Sequence, residues 1–173
     1  MMAGTGITSA VWLRRLPLVE SRALLRGERC GPAELGWHPE YPMDHTLIAI
    51  AMLIQAHEAH GWDGRQVPDW WIHQIVTNHE VVGDCGFHGP ASDDRPAMVE
   101  IGYDVVPGWR RRGVATRACA LLLEQAWRDG ADVVTAETDL DHLASQKVLL
   151  HNGFVALEPG WFTISNPARR AVE

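Results

Sequence analysis

Between Met98 and Ser165 the hydrophobic pattern changes period four times, and few folds can accommodate the result. MVEIGYDVV (98–106) reads as a strand stopped by Pro107. Val114 to Arg128 carries a broad apolar face (Ala115, Cys119, Leu122 and Ala126, with Val114, Ala118 and Leu121 beside it) opposite a polar stripe of Arg117, Glu124 and Arg128. Gly130 stands where a helix C′ residue belongs. DVVTAET (132–138) is strand again, HLASQKVLLHN (142–152) is a helix ended by Gly153, and GWFTIS (160–165) is the last strand.

Upstream the signals are those of strands and one long helix. AVWLRRL (10–16) reads as a strand and LVESRALLRG (18–27) as a short helix ending at Gly27. Residues 28–43, punctuated by Pro and Gly, are mainly loop. Asp44 is placed to cap a helix running through about His60, because Leu47, Ile48, Ala51, Met52, Ile54 and Gln55 recur near helical spacing. WWIHQIVT (70–77) and VVGDCGFHG (81–89) are strand-like and joined by a hairpin at Asn78-His79-Glu80. Antiparallel strands followed by strand–helix–strand–helix–strand predict a single α/β domain over 8–166. Its mixed, mostly antiparallel sheet would have helices on both faces. Residues 1–7 and 167–173 are expected to be flexible termini.

Composition removes several function classes. The net charge of −7 argues against nucleic acid, whose binding is dominated by neutralising phosphates. No apolar run approaches the roughly 18–20 residues that span a bilayer, and Arg14 and Arg15 interrupt the segment where a signal peptide needs its core. Cys30, Cys85 and Cys119 are odd in number and widely spaced, giving neither a disulfide framework nor a CxxC metal site. A cytoplasmic protein is expected.

Against that acidic balance, PGWRRRGVATRA (107–118) concentrates cation. A strand that runs through a short Gly-containing turn into a helix offers free backbone N–H groups at the positive end of the helix dipole, a site for an anion such as phosphate. Gly113 and Ala115 are small where backbone must approach closely, and Thr116 adds a hydroxyl. Gly108 and Gly113 have Walker-A spacing, but Val114 and Ala115 follow where Lys and Ser or Thr are required. No G-x-G-x-x-G follows the first strand either.

EIGYDVVPGWRRRGVATRA, followed by DVVTAETDLDHLASQKVLLHNGF, resembles the GCN5-related N-acetyltransferases (GNAT), in particular the branch that includes the ribosomal-protein N-terminal acetyltransferases. The family pattern [RQ]-x-x-G-x-[GA] is met by Arg110, Gly113 and Ala115, and the later helix start and G-F ending by Ser145 and Gly153-Phe154. The resemblance implies the GNAT fold and acetyl-coenzyme A lying between the splayed ends of strands 99–106 and 132–138. The backbone of Val105 and Val106 would hold the pantetheine arm. Amides from Arg110, Arg111, Arg112, Gly113, Val114, Ala115 and Thr116 would hold the pyrophosphate. His142 stands where the family usually has Asn beside the pantetheine. No metal is implied.

Moving an acetyl group from a thioester to an amine needs a base for the ammonium proton, a donor for the developing oxyanion and, at most, an acid for the leaving thiolate. Glu100, on the strand leading to the phosphate turn, is the first choice of base, with Asp104, Glu137 and His142 as further candidates. A backbone N–H near Val105 or Val106 is the expected oxyanion donor. The tyrosine that many relatives use as acid is Leu149 here, which leaves Ser145. Trp37, Tyr41 and His88 are candidates for contact with the acceptor, with His38, Trp62, Trp70, Trp71 and His73 behind them. His57 and His60 lie one helical turn apart, but nothing places a third metal ligand. The expected function is acetyl transfer from acetyl-CoA to a primary amine, of a small molecule or of a peptide N-terminus. The alternative is a non-catalytic acyl-CoA-binding module. Association into a homodimer is left open.

Overall fold

The alternation after Met98 builds one half of a sheet and the hairpin before it builds the other. The computed structural model describes residues 10–66, 68 and 70–169. The expected flexible segments at 1–7 and 170–173 lie outside the described residues, whereas residues 167–169 turn back onto Asn166 and place Arg169 3.0 Å from Asp132.

In chain order the elements are β1 (Val11–Arg15), α1 (Leu18–Leu25), β2 (Gly36–Trp37), α2 (Asp44–Ala59), β3 (Ile72–Thr77) and β4 (Glu80–Phe87), then β5 (Met98–Val105), α3 (Val114–Arg128), β6 (Val133–Glu137), α4 (Leu143–His151), β7 (Val155–Glu158) and β8 (Trp161–Ser165). The sheet order is β1-β3-β4-β5-β6-β8-β7, with β2 added beside β4. Along the main path every pair is antiparallel except β5–β6, which α3 connects as a crossover. Asn78 and His79 both take positive φ (50° and 61°) between the paired Thr77 and Glu80, so a two-residue turn with the backbone of type I′ closes the β3–β4 hairpin. Asp44 opens α2 as its first helical residue and does not cap it: Met43 is the N-cap, and no side chain caps the helix start.

Helices cover both faces. On one, the apolar stripe of α3 (Val114, Ala118, Cys119, Leu122, Ala126) packs with Val99, Ile101, Val105 and Leu149. On the other, α1 and α2 bring Leu24, Ile50 and Leu53 against Leu16, Trp71 and Ile72. The alternation of β5 divides its side chains between these layers. Val99, Ile101 and Val105 are buried among the α3-side residues, and Tyr103 reaches α4. Glu100, Gly102 and Asp104 therefore face the α2 side.

Candidate active site

The sheet opens at its centre. β5 and β6 pair only at Met98↔Val133, Val99↔Val134 and Glu100↔Thr135, although both strands continue. Beyond that point β6 stays with β8, and Thr138 N donates to Gly160 O at 2.9 Å. The β4–β5 ladder is unbroken from Gly83↔Val105 to Phe87↔Ile101, so Asp104 does share Glu100's face. Val106 N donates to Val82 O and His88 N to Glu100 O, both across the β4 side. By alternation the odd residues aim their N–H and C=O groups at the gap.

That parity corrects two expectations. Val106 spends its N–H on β4. Val105 spends its N–H on the Asp104 carboxylate at 2.8 Å and its carbonyl on Arg110 Nε at 2.7 Å. Neither amide is free to hold pantetheine or an oxyanion. The residue left facing the gap is Tyr103.

Gly113, at φ 76°, is the N-cap of α3 and carries no side chain to satisfy the first turn. Arg117 N is the first to bond back, to Gly113 O at 3.0 Å, so the amides of Val114, Ala115 and Thr116 have no intrahelical acceptor. The three arginines part company. Arg110 turns back to Asp104 Oδ1 (3.3 Å) and Val105 O, neutralising the last carboxylate of β5. Arg112 lies 4.9 Å over the Trp109 ring, a cation–π contact. Arg111, with φ 59°, forms the bend and is exposed.

On the α4 side of the gap, Tyr103 Oη lies 3.0 Å from Ser145 Oγ and 3.1 Å from Ser145 O. Burial pushes the Tyr103 hydroxyl up in pKa, partly offset by Ser145. Leu149, at the family's usual tyrosine position, is core. Tyr103 thus places a phenol at the gap from the strand side. The sequence signal for it was available: an odd-numbered polar aromatic between buried Ile101 and Val105. His142 is the exposed N-cap residue of α4, without a side-chain capping bond.

On the α2 side, Glu100 Oε1 lies 2.9 Å from His88 Nδ1, with side chains 30% and 49% exposed. The His88 ring lies across Gly102: a Cβ there would stand 2.6 Å from Nε2. A row of polar groups crosses the sheet on this face, in register from Arg14 through Gln74 and Asp84 to Asp104. Arg14 binds Glu20 and Gln74, Thr46 of α2 donates to Asp84, and His45 Nδ1 is 3.6 Å from Asp104 Oδ2. Asp84 is buried, which raises its carboxyl to about 7 against the Thr46 hydrogen bond. Ala56 of α2 lies against Gly89, so one flank of α2 walls this face from Asp104 to the β4–β5 loop.

The aromatic candidates sit elsewhere. Tyr41 is fully buried, and its hydroxyl has no hydrogen-bond partner, so it is not an exposed acceptor contact. Trp37 stacks on Tyr41 with centroids 5.6 Å apart, and β2 pairs it with Val81. That is seven residues along β4 from His88, on the order of 20 Å. Trp71 is buried and donates to Leu16 O, Trp70 packs edge-on to Phe87, and Trp62 donates to Gln66 O. His57 and His60 each bond a backbone carbonyl, of Trp70 and Ala56. Of the three acceptor candidates only His88 joins the carboxylates of β5.

Residues 13–155 match the acetyltransferase (GNAT) domain family. The uncharacterized N-acetyltransferase YjdG of Bacillus subtilis (strain 168) is 36% identical over 129 residues, 70% of this chain and 72% of the relative. Two solved structures have a similar fold at low identity. One is the aminoglycoside acetyltransferase AAC(6')-Ib in complex with coenzyme A, with TM-score 0.60 at 12% identity, covering 94% of this chain and 99% of its own. The other is the ribosomal alpha-N-protein acetyltransferase RimL in complex with coenzyme A, with TM-score 0.59 at 15% identity, covering 91% and 95%. A parted β5–β6 pair with a capless helix start at its open end and paired polar groups on either face is thus found in a chain that belongs to the GNAT acetyltransferases.

Proposed function

We propose that the protein transfers the acetyl group of acetyl-coenzyme A to a primary amine of a small molecule or of a peptide N-terminus. The observation that carries this is the opening between β5 and β6, which ends at the first turn of α3 and has Tyr103–Ser145 on one face and Glu100–His88 on the other. The amides of Val114 to Thr116 would take the pyrophosphate, and the cations of Arg111 and Arg112 add potential without having to touch it. Tyr103's backbone would carry the pantetheine arm, and its N–H is the candidate donor to the oxyanion. The other face suits a cationic acceptor, because Glu100 and Asp104 line it and Asp84 lies beneath. RimL and AAC(6')-Ib act, by their names, on a protein and on aminoglycosides, and both acceptor classes fit that electrostatic requirement. The reading places the protein in the cytoplasm, where its free Cys85 and Cys119 stay reduced.

The test is coenzyme A thiol release from acetyl-CoA with spermidine, kanamycin and peptides bearing a free N-terminal Ala or Ser. Amine-dependent release with at least one acceptor is expected. Thermal stabilisation by acetyl-CoA without release on any acceptor would make the protein an acyl-CoA-binding module.

A further inference from the structure

We propose that His88, and not Glu100, takes the proton from the acceptor amine, with Glu100 as the positioning residue that fixes the ring. The inference rests on the acetyltransferase reading and assigns its base. Its ground is geometric. An ionised carboxylate only accepts hydrogen bonds, so the 2.9 Å contact requires the proton on Nδ1. In the neutral ring Nε2 then carries the lone pair, and Nε2 is the atom that lies across Gly102. Gly102 is two residues beyond the last β5–β6 pair, so the lone pair stands beside the start of the opening. Glu100 is the less exposed of the two and has Oε1 occupied by the ring. A residue with a side chain at 102 would displace the imidazole, and glycine is what stands there.

The other titratable groups of this face are Asp104 on β5, Asp84 on β4 and His45 on α2, and His45 is held at Asp104. Neutral imidazole is also the better base: ordinary values are about 6.5 for His and about 4.3 for Glu. The balance is simple. Nε2 takes one proton from the ammonium, and Glu100 stabilises the imidazolium that forms. The amine lone pair forms the C–N bond while the carbonyl pair moves to oxygen. Collapse breaks C–S and leaves its pair on sulfur, and the remaining surplus proton on nitrogen passes to that thiolate. The imidazolium returns its proton to solvent.

The experiment compares His88→Gln and Glu100→Gln with wild type. The acceptor is the one among spermidine, kanamycin and the Ala- or Ser-initiated peptides that wild type uses fastest. His88→Gln should lower kcat by about 10²–10⁴-fold, the usual worth of a general base, and abolish the acidic limb of the kcat/KM–pH profile. Glu100→Gln should keep the limb, move it to lower pH because the imidazolium has lost its carboxylate, and cost less. Acetyl-CoA should stabilise all three proteins alike against heat. The reverse pattern, with the limb lost in Glu100→Gln and only shifted in His88→Gln, would make Glu100 the base and overturn the proposal. Nitrogen NMR of the whole protein gives a readout that needs no acceptor. Neutral His88 should be the Nδ1–H tautomer in wild type and a mixture in Glu100→Gln. A neutral Nε2–H ring in wild type would overturn the proposal even if the protein is an acetyltransferase. Failure of every acceptor with the Nδ1–H tautomer intact would count against the enzyme reading instead.

Discussion

Gly102 and Tyr103 are neighbours that serve opposite faces of one strand, and each makes its own prediction. At Gly102 an added Cβ meets only the far end of the His88 ring, at 2.6 Å. Gly102→Ala should therefore fold and bind acetyl-CoA normally while moving the imidazole. A drop of at least tenfold in kcat, on the order of 1.4 kcal/mol, is expected, with the acetyl-CoA melting shift unchanged. Equal turnover would mean that the ring position is irrelevant. Tyr103 presents its hydroxyl to Ser145 Oγ and O. Tyr103→Phe removes both bonds at a cost of about 1 kcal/mol of stability. Because a coenzyme A thiolate leaves without much help, Tyr103→Phe and Ser145→Ala should each lower kcat less than tenfold. Combining them should cost little more than either alone, as for two groups on one proton path. Complete loss in either, with coenzyme A still bound, would make acid assistance the main barrier.

The α3 start is where sequence and structure agree most usefully, because its chemistry is local. Gly113 takes φ 76°, and a Cβ there would meet nothing within 4 Å. Gly113→Ala should thus cost only the left-handed penalty, about 1–2 kcal/mol, and keep the melting shift that acetyl-CoA gives. Gly113→Glu adds bulk and negative charge at the proposed pyrophosphate site and should abolish that shift. If both variants behave alike, the turn is not the phosphate site. The elements legible from sequence were those with a buried face: β3 and β4, α3 with its apolar stripe, and the β3–β4 turn. β7 was missed because all four of its residues are exposed, and β2 because two residues carry no period. At the site, the spacing around Gly113 marked the turn and the approach to it marked β5. Neither said that Val105 and Val106 would spend their amides internally, since that depends on which side β4 lies. Tyr41 and Trp37 looked like acceptor contacts because aromatics crowd that segment, but packing claimed them.

Over the whole molecule, two buried ionisable groups pull stability in opposite directions with pH. Burial raises Asp84 to about 7, so the fold keeps a proton that the unfolded chain releases near 4. Stability from this group falls as pH rises from about 4 to about 7 and is constant above. Burial lowers His73 to about 4, assisted by the charge of Arg15, and burial lowers His57 in the same direction. For these the unfolded chain binds more protons below about 6.5, so stability falls as pH drops from there. The two slopes oppose each other between about 4 and 6.5, and the melting temperature of the wild type should vary little across that window. Single variants separate them. Asp84→Asn keeps an acceptor for Thr46 and offers a donor on the side of the sheet where the Tyr41 hydroxyl lacks a partner. Its advantage over wild type should grow from near zero at pH 4 to a plateau by pH 8, bounded by about 4 kcal/mol for three pKa units. His73→Gln should do the converse, leaving a protein that is relatively most stable in acid. Melting curves of the three proteins at pH 4, 5, 6, 7 and 8 decide it. A difference between Asp84→Asn and wild type that stays constant with pH would mean that Asp84 is ionised in the fold, with the row from Arg14 to Asp104 supplying the compensation that burial denies it.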